Sequence, residues 1–425
     1  MKKRVAIIGT GIAGMSAAYF LKDDYEVCVY EKNDYVGGHT NTLSFNHKDE
    51  TVKFDSGFMV FNFKTYPLLV KLFEKLHVPI MKTDMSFSVQ NKSTGLEYTG
   101  SGINGLFAQR KNIFRPAHYR FLAEVNRFNQ LANQISELDD YENITIAEFV
   151  EKYNFRHRML EDYLIPMSSA VWSTPPEKML DFSIYALIRF FKNHGFLGLD
   201  TQHQWYTVKG GSFAYRDRLI ASFKNCIKLN TSVTSISRIN SGSKASIVLE
   251  TDQGESEHFD VAVVATHSDQ AYSLLQKPNE LETQILPHFK YETNIATIHT
   301  DSTVMPSTRG CWSSWNFVYK PSEDGRMMPS TIYYMNKLQG VSNKQDYFVS
   351  INGVNDMSAE KILKVIEYAH PVFNTDTFRL QNSFQKLNQE GPIYYVGAYQ
   401  ANGFHEDGLK SSYDLCKSLL GRDPL

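Results

Sequence analysis

Hydrophobic and polar positions along this 425-residue chain follow two periods, and each period predicts a different kind of element. Val5-Ala6-Ile7-Ile8 is a continuous apolar run, the pattern of a short strand covered on both faces. Glu26-Val27-Cys28-Val29-Tyr30 and Phe259-Asp260-Val261-Ala262-Val263-Val264-Ala265-Thr266 predict two more strands, and a helix from near Ile12 to near Leu21 joins the first two. Within residues 65–77, Leu68, Leu69, Leu72, Phe73 and Leu76 recur at helical spacing, with Pro67 suited to the first turn. Residues 84–100 alternate like a hairpin, Phe87 and Val89 facing one way and Ser86 and Ser88 the other. A long helical pattern covers residues 116–138, Thr145-x-x-Glu148 is a capping box opening another helix, and residues 167–191 are helical, aromatic and broken at Pro175-Pro176. Further strands are predicted at 227–233, 291–300 and 331–336, with Trp312 to Phe317 between the last two, and a helix at 359–368. A last strand ends at Gly397, and after a loop a helix begins near Glu406. The chain contains no internal repeat and no low-complexity tract.

The first strand runs directly into Gly9-x-Gly11-x-x-Gly14, which opens the first helix. Gly9 permits the tight turn, Gly11 lets the backbone approach a pyrophosphate, and Gly14 lets the helix pack closely on the strand. The phosphate charge then sits at a helix N-terminus, where free N–H groups and the macrodipole favour an anion. The second strand ends in Glu31, near the roughly 20-residue spacing expected of the acid that holds ribose hydroxyls. The plain alternative is an ordinary strand-helix turn beside a solvated Glu31, and the motif alone does not separate NAD from FAD.

A second pair, Gly37-Gly38, lies shortly after that acid, where a nicotinamide dehydrogenase has no need of one. The segment from Glu31 to Thr40, the run Phe54-Asp55-Ser56-Gly57-Phe58, the pair Gly210-Gly211 after Trp205, and the C-terminal stretch from Gly397 to Gly408 together resemble the flavin amine oxidase and phytoene desaturase superfamily. Within it, the chain is most similar to a bacterial group of FAD-dependent amine-oxidase-like proteins. The resemblance implies FAD bound across the whole chain length. The cofactor-binding residues it implies are Gly9, Gly11, Ile12, Ala13, Gly14, Glu31, Lys32, Gly37, Gly38, His39, Thr40, Gly57, Phe58, Met59, Val233 (through its backbone), Thr266, Gly397, Ala398, Gly403, Phe404, His405 and Glu406. It also places the N-terminus of the last helix at the flavin's pyrimidine edge, where its dipole favours the reduced form. Val233 and Thr266 are also readable as plain strand core, and His405-Glu406-Asp407 as a solvated helix start.

The expected class is α/β: a GxGxxG-type FAD-binding Rossmann-like domain interleaved with an α+β substrate domain. The expected division is 1–80, 205–271 and 381–425 for FAD, and 81–204 and 272–380 for substrate. Composition is that of a globular chain, 42% hydrophobic and 21% charged. A net charge of −2 gives no basic surplus for nucleic acid. The four cysteines Cys28, Cys226, Cys311 and Cys416 lie far apart, without metal spacing, which fits a reducing cytoplasm. No metal site is expected. The N-terminal apolar run belongs to the nucleotide fold rather than to a signal peptide, and no run approaches the roughly eighteen residues of a spanning helix. That leaves peripheral membrane contact open. Aromatic residues reach 13%, more than a nucleotide domain needs, which suggests a ring-lined substrate cavity with Trp172, Trp315, Tyr334 and Tyr399 as candidates.

Two departures from the superfamily matter. Its amine oxidases often attach flavin through a cysteine shortly before the C-terminal motif, and residues 380–396 contain none, so non-covalent FAD is expected. Many also carry a lysine beneath the flavin, and Asn294 falls near that position. The expected function is therefore an oxidase- or desaturase-like FAD-dependent oxidoreductase taking a hydride from a hydrophobic small molecule or lipid acyl chain. The bacterial group's association with lipid-modifying methyltransferases points the same way. A small-amine oxidase and a non-catalytic flavin-binding scaffold are the alternatives. No Ser-His-Asp pattern or paired carboxylate is detectable; Asn294, Tyr399 and His405 are the catalytic candidates. His39, His267 and His299 are better read as packing or surface residues.

Overall fold

The computed structural model describes the chain except residues 48, 136–143, 173, 199–201, 242–243, 322–326 and 354–355. One layer is a parallel five-stranded sheet ordered Ile227–Lys228, Glu26–Tyr30, Arg4–Ile8, Val261–Val264, Ile393–Tyr395. Arg4–Ile8 lies at the centre, paired in parallel with Glu26–Tyr30 on one side and Val261–Val264 on the other. Covered on both faces, its residues from Val5 to Ile8 are buried. The helix Ile12–Leu21 packs against the C-terminal helix His405–Leu420: Ser412 Oγ donates to the Ala13 carbonyl at 2.7 Å. An antiparallel sheet of Val233–Ser241, Lys244–Thr251 and Ser256–Phe259 follows the strand at 227.

The second layer is a seven-stranded sheet ordered Ile362–Val372, Lys290–His299, Phe348–Ile351, Met327–Tyr334, Trp315–Pro321, Phe87–Asn91, Leu96–Thr99. Only Trp315–Pro321 and Phe87–Asn91 pair in parallel. Helices Pro116–Ile135, Ile146–Lys152, Ile165–Trp172 and Ile184–His194 form their own aromatic core around Phe128, Phe149, Phe182 and Phe191. Thr145 and Glu148 form the expected capping box. The strand Trp205–Val208, between Phe61–Asn62 and Ile80–Thr83, brings the chain back toward the parallel sheet. Asp55 fastens this junction. Its carboxylate accepts from Thr42 Oγ1 at 2.6 Å, Ser212 N at 2.8 Å and Gln339 Nε2 at 2.8 Å. Among the described residues no helix is long and apolar enough to cross a membrane.

Three expected elements differ. Residues 359–368 are not a helix; Ile362–Val372 is the edge strand of the seven-stranded sheet, paired antiparallel with Lys290–His299 along its length. Lys364, Val365 and Glu367 face solvent there, so the helix-like polar positions are those of an exposed sheet edge. The β-branched Ile362, Val365 and Ile366 favour the ladder, and tertiary pairing overrides the helical preference of Ala, Glu and Lys. The strand expected at 227–233 is cut after Lys228, because Asn230 takes a left-handed φ of 51°. The strand expected to reach Asn336 stops at Tyr334; Asn336 lies in a one-turn helix and its side chain ties down the backbone of Ser342, Gln345 and Tyr347.

Candidate cofactor and active site

The glycine turn is dictated by contacts. A Cβ on Gly14 would lie 1.9 Å from the Gly9 carbonyl oxygen, and one on Gly9, whose φ is 98°, would lie 2.9 Å from the Ala265 oxygen. Gly11 differs: a Cβ there would meet no protein atom within 4 Å. Gly38 faces it, its own Cβ position 3.4 Å from Gly11 Cα. No side chain caps the Ile12–Leu21 helix, so its first N–H groups face this space. Gly37 also needs its positive φ of 135°, with a Cβ position 2.3 Å from the Thr40 oxygen.

Glu31 is buried beneath the turn. Its carboxylate accepts from Thr10 N at 3.1 Å, Thr10 Oγ1, Asn33 N at 2.9 Å and Asn33 Nδ2 at 2.8 Å. The acid expected to hold a ribose thus also pins the glycine loop, while Lys32 beside it is exposed. Glu31→Ala should lower the melting point of the flavin-free protein, because buried donors lose their acceptor at about 1–3 kcal/mol. It should also weaken flavin about tenfold or more. Unchanged affinity in a fluorescence titration would remove Glu31 from the cofactor site.

The C-terminal helix closes the other end. A Cβ on Gly408 would lie 2.9 Å from Ile12 Cγ2, which brings the Gly397–Gly408 segment onto the glycine turn. Ala398 accepts the Gly403 N–H at 3.1 Å, and Gly403 needs its φ of 91° beside Phe373. His405 stacks on Phe58 with ring centroids 3.8 Å apart, and its Nε2 lies 2.7 Å from Tyr215 Oη and 3.2 Å from Thr40 Oγ1. The Glu406 carboxylate turns away from this space: it accepts the Leu68 and Leu69 N–H groups at 2.8 and 2.9 Å, capping the helix Pro67–Lys75. Asp407 caps its own helix through Phe404 N at 2.9 Å. Phe58 N bonds the His39 carbonyl at 2.8 Å, and a Cβ on Gly57 would lie 2.3 Å from that oxygen. Met59 is buried, with its carbonyl taken by Thr207 Oγ1 at 2.7 Å. Thr266 Cγ2 approaches the Gly9 turn, whereas the Val233 side chain is strand core.

Between these ends lies a group of histidines that sequence reasoning only partly found. The His39 ring stacks on Tyr368 at 4.8 Å and lies 5.1 Å from His370; its Nε2 is buried without a partner. Tyr368 Oη is held by Asn41 Nδ2 at 2.9 Å and Ser56 Oγ at 2.7 Å. Asn294 is fully buried, and its orientation follows from a chain of hydrogen bonds. Ile295 N donates to Asn352 Oδ1 at 2.9 Å, so Asn352 Nδ2 donates to Asn294 Oδ1 at 2.6 Å. Asn294 Nδ2 therefore donates to His370 Nδ1 at 2.9 Å, which leaves the His370 proton on Nε2. Tyr368 was missed because residues 359–368 were read as a helix, and His370, two residues past its end, was assigned to no element. The alternation Ile366, Tyr368, His370 along one face was the available signal.

Burial holds these imidazoles neutral: His39 and His267 are pushed down to about 4, His370 and His405 to about 3. Each binds a proton in the unfolded chain near pH 6.5 but not in the folded one. Their stabilisation is therefore complete above pH 6.5 and lost as pH falls toward 4. Asp407, pushed up to about 7 by burial, works in the opposite sense. Each of the four histidines loses roughly 2 kcal/mol of stabilisation between pH 7 and pH 5, and Asp407, with the raised Asp55 and Glu406, opposes them. The melting point of the flavin-free protein should fall on acidification across that range. A rise would mean that the histidines are not buried neutral.

The four aromatic candidates do not share one cavity. Trp315 pairs directly across the sheet with Tyr333, so Tyr334 points to the opposite face, where it packs on Phe348 and Trp312. Tyr399 packs between Phe289 and Phe384 in the core behind the parallel sheet. Trp172 sits in the helical layer against Phe190 and Phe182, with Nε1 bonded to the Asn402 carbonyl at 3.2 Å. Ala170, on the same helix, packs with Trp315 and Phe317. Of the four, Trp172 packs beside Phe404 of the C-terminal loop, while Trp315 shares its sheet face with Tyr333 rather than Tyr334. His299, bonded to Ser350 Oγ at 2.7 Å on the Tyr334 face, is a packing residue.

The sequence model of the family described as flavin containing amine oxidoreductase matches residues 12–342. The chain belongs to that family of FAD-dependent oxidoreductases. A 1-hydroxycarotenoid 3,4-desaturase from Flavobacterium sp. (strain P99-3) is 36% identical over 97 residues, 23% of this chain and 18% of that one. The matched stretches span less than half the length of the curated relatives. The fold is similar to that of a CLA-producing fatty acid isomerase from P. acnes (TM-score 0.68, 14% identity, 98% of each chain). It is also similar to cyclohexylamine oxidase from Brevibacterium oxydans IH-35A (TM-score 0.65, 15% identity, 99% of this chain and 100% of that one). The cofactor is FAD, and the residues fit it. The open space at Gly11 suits a pyrophosphate, the uncapped helix suits its charge, and the unpartnered His39 Nε2 marks a polar contact still to be made.

Proposed function

We propose that this protein oxidises an apolar substrate, an unsaturated or acyl-type chain, by removal of a hydride, and that residues 1–80, 205–271 and 381–425 hold FAD while 81–204 and 272–380 hold the substrate. FAD, when bound, supplies the two-electron acceptor. The Gly9–Gly14 turn, Gly38 and Glu31 would hold its diphosphate and ribose end. His39, Thr40, Gly57, Phe58 and the loop Gly397–His405 would surround the ring end, without a covalent link. The observation that carries the substrate reading is the Asn294–His370 pair. Where the superfamily often has a lysine, this chain has an uncharged amide locked to an uncharged imidazole. The neighbouring sheet face carries Trp315, Tyr333 and Phe317, surface suited to an apolar chain. The matched relatives named as desaturases support the same class. Four free cysteines, two of them buried, support a reducing, cytoplasmic setting.

The test is anaerobic mixing of the yellow protein with unsaturated acyl lipids and polyenes in one arm and simple amines in the other, followed at flavin absorbance. Bleaching by the apolar substrates alone is expected. Bleaching by amines alone would overturn the substrate class, and bleaching by neither would leave a flavin-binding scaffold.

A further inference from the structure

Large apolar side chains are exposed singly over most of this surface, as on any protein, but residues 103–119 gather four of them. Ile103 is 71% exposed and Phe114 86%, with Ile113 and Tyr119 beside them in sequence. The segment leaves the edge strand Leu96–Thr99 of the seven-stranded sheet and leads into the helix Pro116–Ile135. Its base is well packed. Asn112 and His118 are buried, Tyr119 Oη donates to the Ile113 carbonyl at 2.9 Å, and Phe121 belongs to a core cluster with Tyr98 and Val89. The tips are therefore held outward by an ordered base.

Four exposed basic residues lie in the same stretch of chain. Arg110, Lys111, Arg115 and Arg120 form no ion pair among the described residues. A groove of about 470 Å³ is lined by Phe114, Arg115, His118, Arg120 and Arg158. Arg158 is matched to Asp162 at 3.0 Å, so the groove keeps a positive surplus. His118 adds a second, independent feature. Its Nε2 donates to the Leu106 carbonyl at 2.9 Å, which makes Nδ1 an acceptor, and Nδ1 is buried without a partner. The unpaired guanidinium groups lining the groove suit a phosphodiester.

We propose that this face docks on a bilayer containing anionic phospholipid, with Ile103 and Phe114 entering the acyl boundary and the headgroup phosphate held by Arg115 and Arg120. Apolar tips and nearby basic residues are the two signals that give stable interfacial binding together and only marginal binding apart. The surface also continues inward. Leu106 packs in the cluster of Val89 with Phe87, and Phe87 packs in turn with Trp315 and Phe317. Apolar contact thus runs from the docking face to the sheet face beside the cofactor site. The docking itself does not depend on which bond the protein oxidises.

The experiment is flotation of the holoprotein with vesicles of phosphatidylglycerol and phosphatidylcholine mixed equally, compared with phosphatidylcholine alone. Binding to the anionic vesicles that weakens with salt is expected. Ile103→Asn combined with Phe114→Ser should abolish it. Arg115→Glu combined with Arg120→Glu should weaken it by more than the roughly thirtyfold expected from loss of two positive charges. Flavin content and melting point of each variant report folding. Equal binding by wild type and both variants, or equal binding to neutral vesicles, would overturn the proposal. So would a wild-type dimer that the Ile103/Phe114 variant makes monomeric without vesicle binding, since a second copy would then cover the face. Melting-point stabilisation by inorganic phosphate with no vesicle binding would reassign the groove to a free anion. Reduction of the flavin by a detergent-dispersed apolar substrate is measured on the same variants, so failure of docking is distinguishable from failure of the substrate reading.

Discussion

A Gly11→Ala variant should fold as well as the wild type and yet fail to hold flavin, whereas Gly14→Ala should fail to fold properly at all. The two glycines stand three residues apart in one motif, but their surroundings are opposite. A methyl group on Gly11 meets no protein atom within 4 Å, and the residue already has an ordinary φ of −60°. The flavin-free protein has no reason to lose stability, and alanine at a helix N-cap costs only about 0.5–2 kcal/mol at the extreme, less relative to glycine. The same methyl projects into space that no protein atom fills, and a pyrophosphate at this helix N-terminus would need that space. Flavin affinity should fall on the order of a hundredfold. A methyl on Gly14 would lie 1.9 Å from a backbone oxygen, and backbone cannot yield as a side chain can. The helix must move off the strand, at a cost on the order of 3 kcal/mol or more, a large part of the roughly 5–15 kcal/mol that holds a domain together. Melting curves of flavin-free protein and flavin titrations, measured in parallel, check both halves. Wild-type flavin affinity in Gly11→Ala would show that the diphosphate does not pass this turn.

That contrast explains what could be read in advance. The glycine turn was legible because residue type dictates backbone geometry there, and both strand and helix boundaries follow from it. The C-terminal stretch was legible for the same reason, since Gly403 and Gly408 are required by positive φ and by contact with Ile12. Side-chain roles were less legible where one residue has two uses for the same chemistry. Glu31 and Glu406 were placed near the cofactor by pattern, and one also pins Thr10 and Asn33 while the other caps the helix Pro67–Lys75. Tyr334 was misjudged by one position, and in a strand one position reverses the face. The largest loss came from the edge strand Ile362–Val372. Its solvent-facing charges imitate a helix, and what holds it in place is the ladder to Lys290–His299, more than sixty residues earlier and invisible to a local window. Misreading it hid Tyr368 and His370, and with them the partner of Asn294.

That partner gives the second large effect. His370→Ala should slow anaerobic flavin reduction by on the order of a hundredfold if the imidazole holds or moves a proton beside the reacting centre. A slower rate alone would also follow from a collapsed site, so the diagnostic variant is Asn294→Asp. In the wild type the Asn294 amide donates to His370 Nδ1, and burial keeps the imidazole neutral, pushed down to about 3. An aspartate cannot donate when ionised. Asn352 Nδ2 would still reach one of its oxygens, while the other, facing Nδ1, would require a proton there. A carboxylate at hydrogen-bond distance favours imidazolium and raises the His370 pKa toward the ordinary range. The wild-type reduction rate should therefore be flat in pH across neutrality, while Asn294→Asp should show a new ionisation there, absent again in Asn294→Asp combined with His370→Gln. The single variant then holds an imidazolium–carboxylate pair and the double variant a lone carboxylate, so the flavin reduction potential should be lower in the double variant than in the single one. A flat profile in Asn294→Asp and equal potentials in the single and double variants, with flavin content retained, would show that the pair is a fixture of the sheet and that proton handling lies elsewhere.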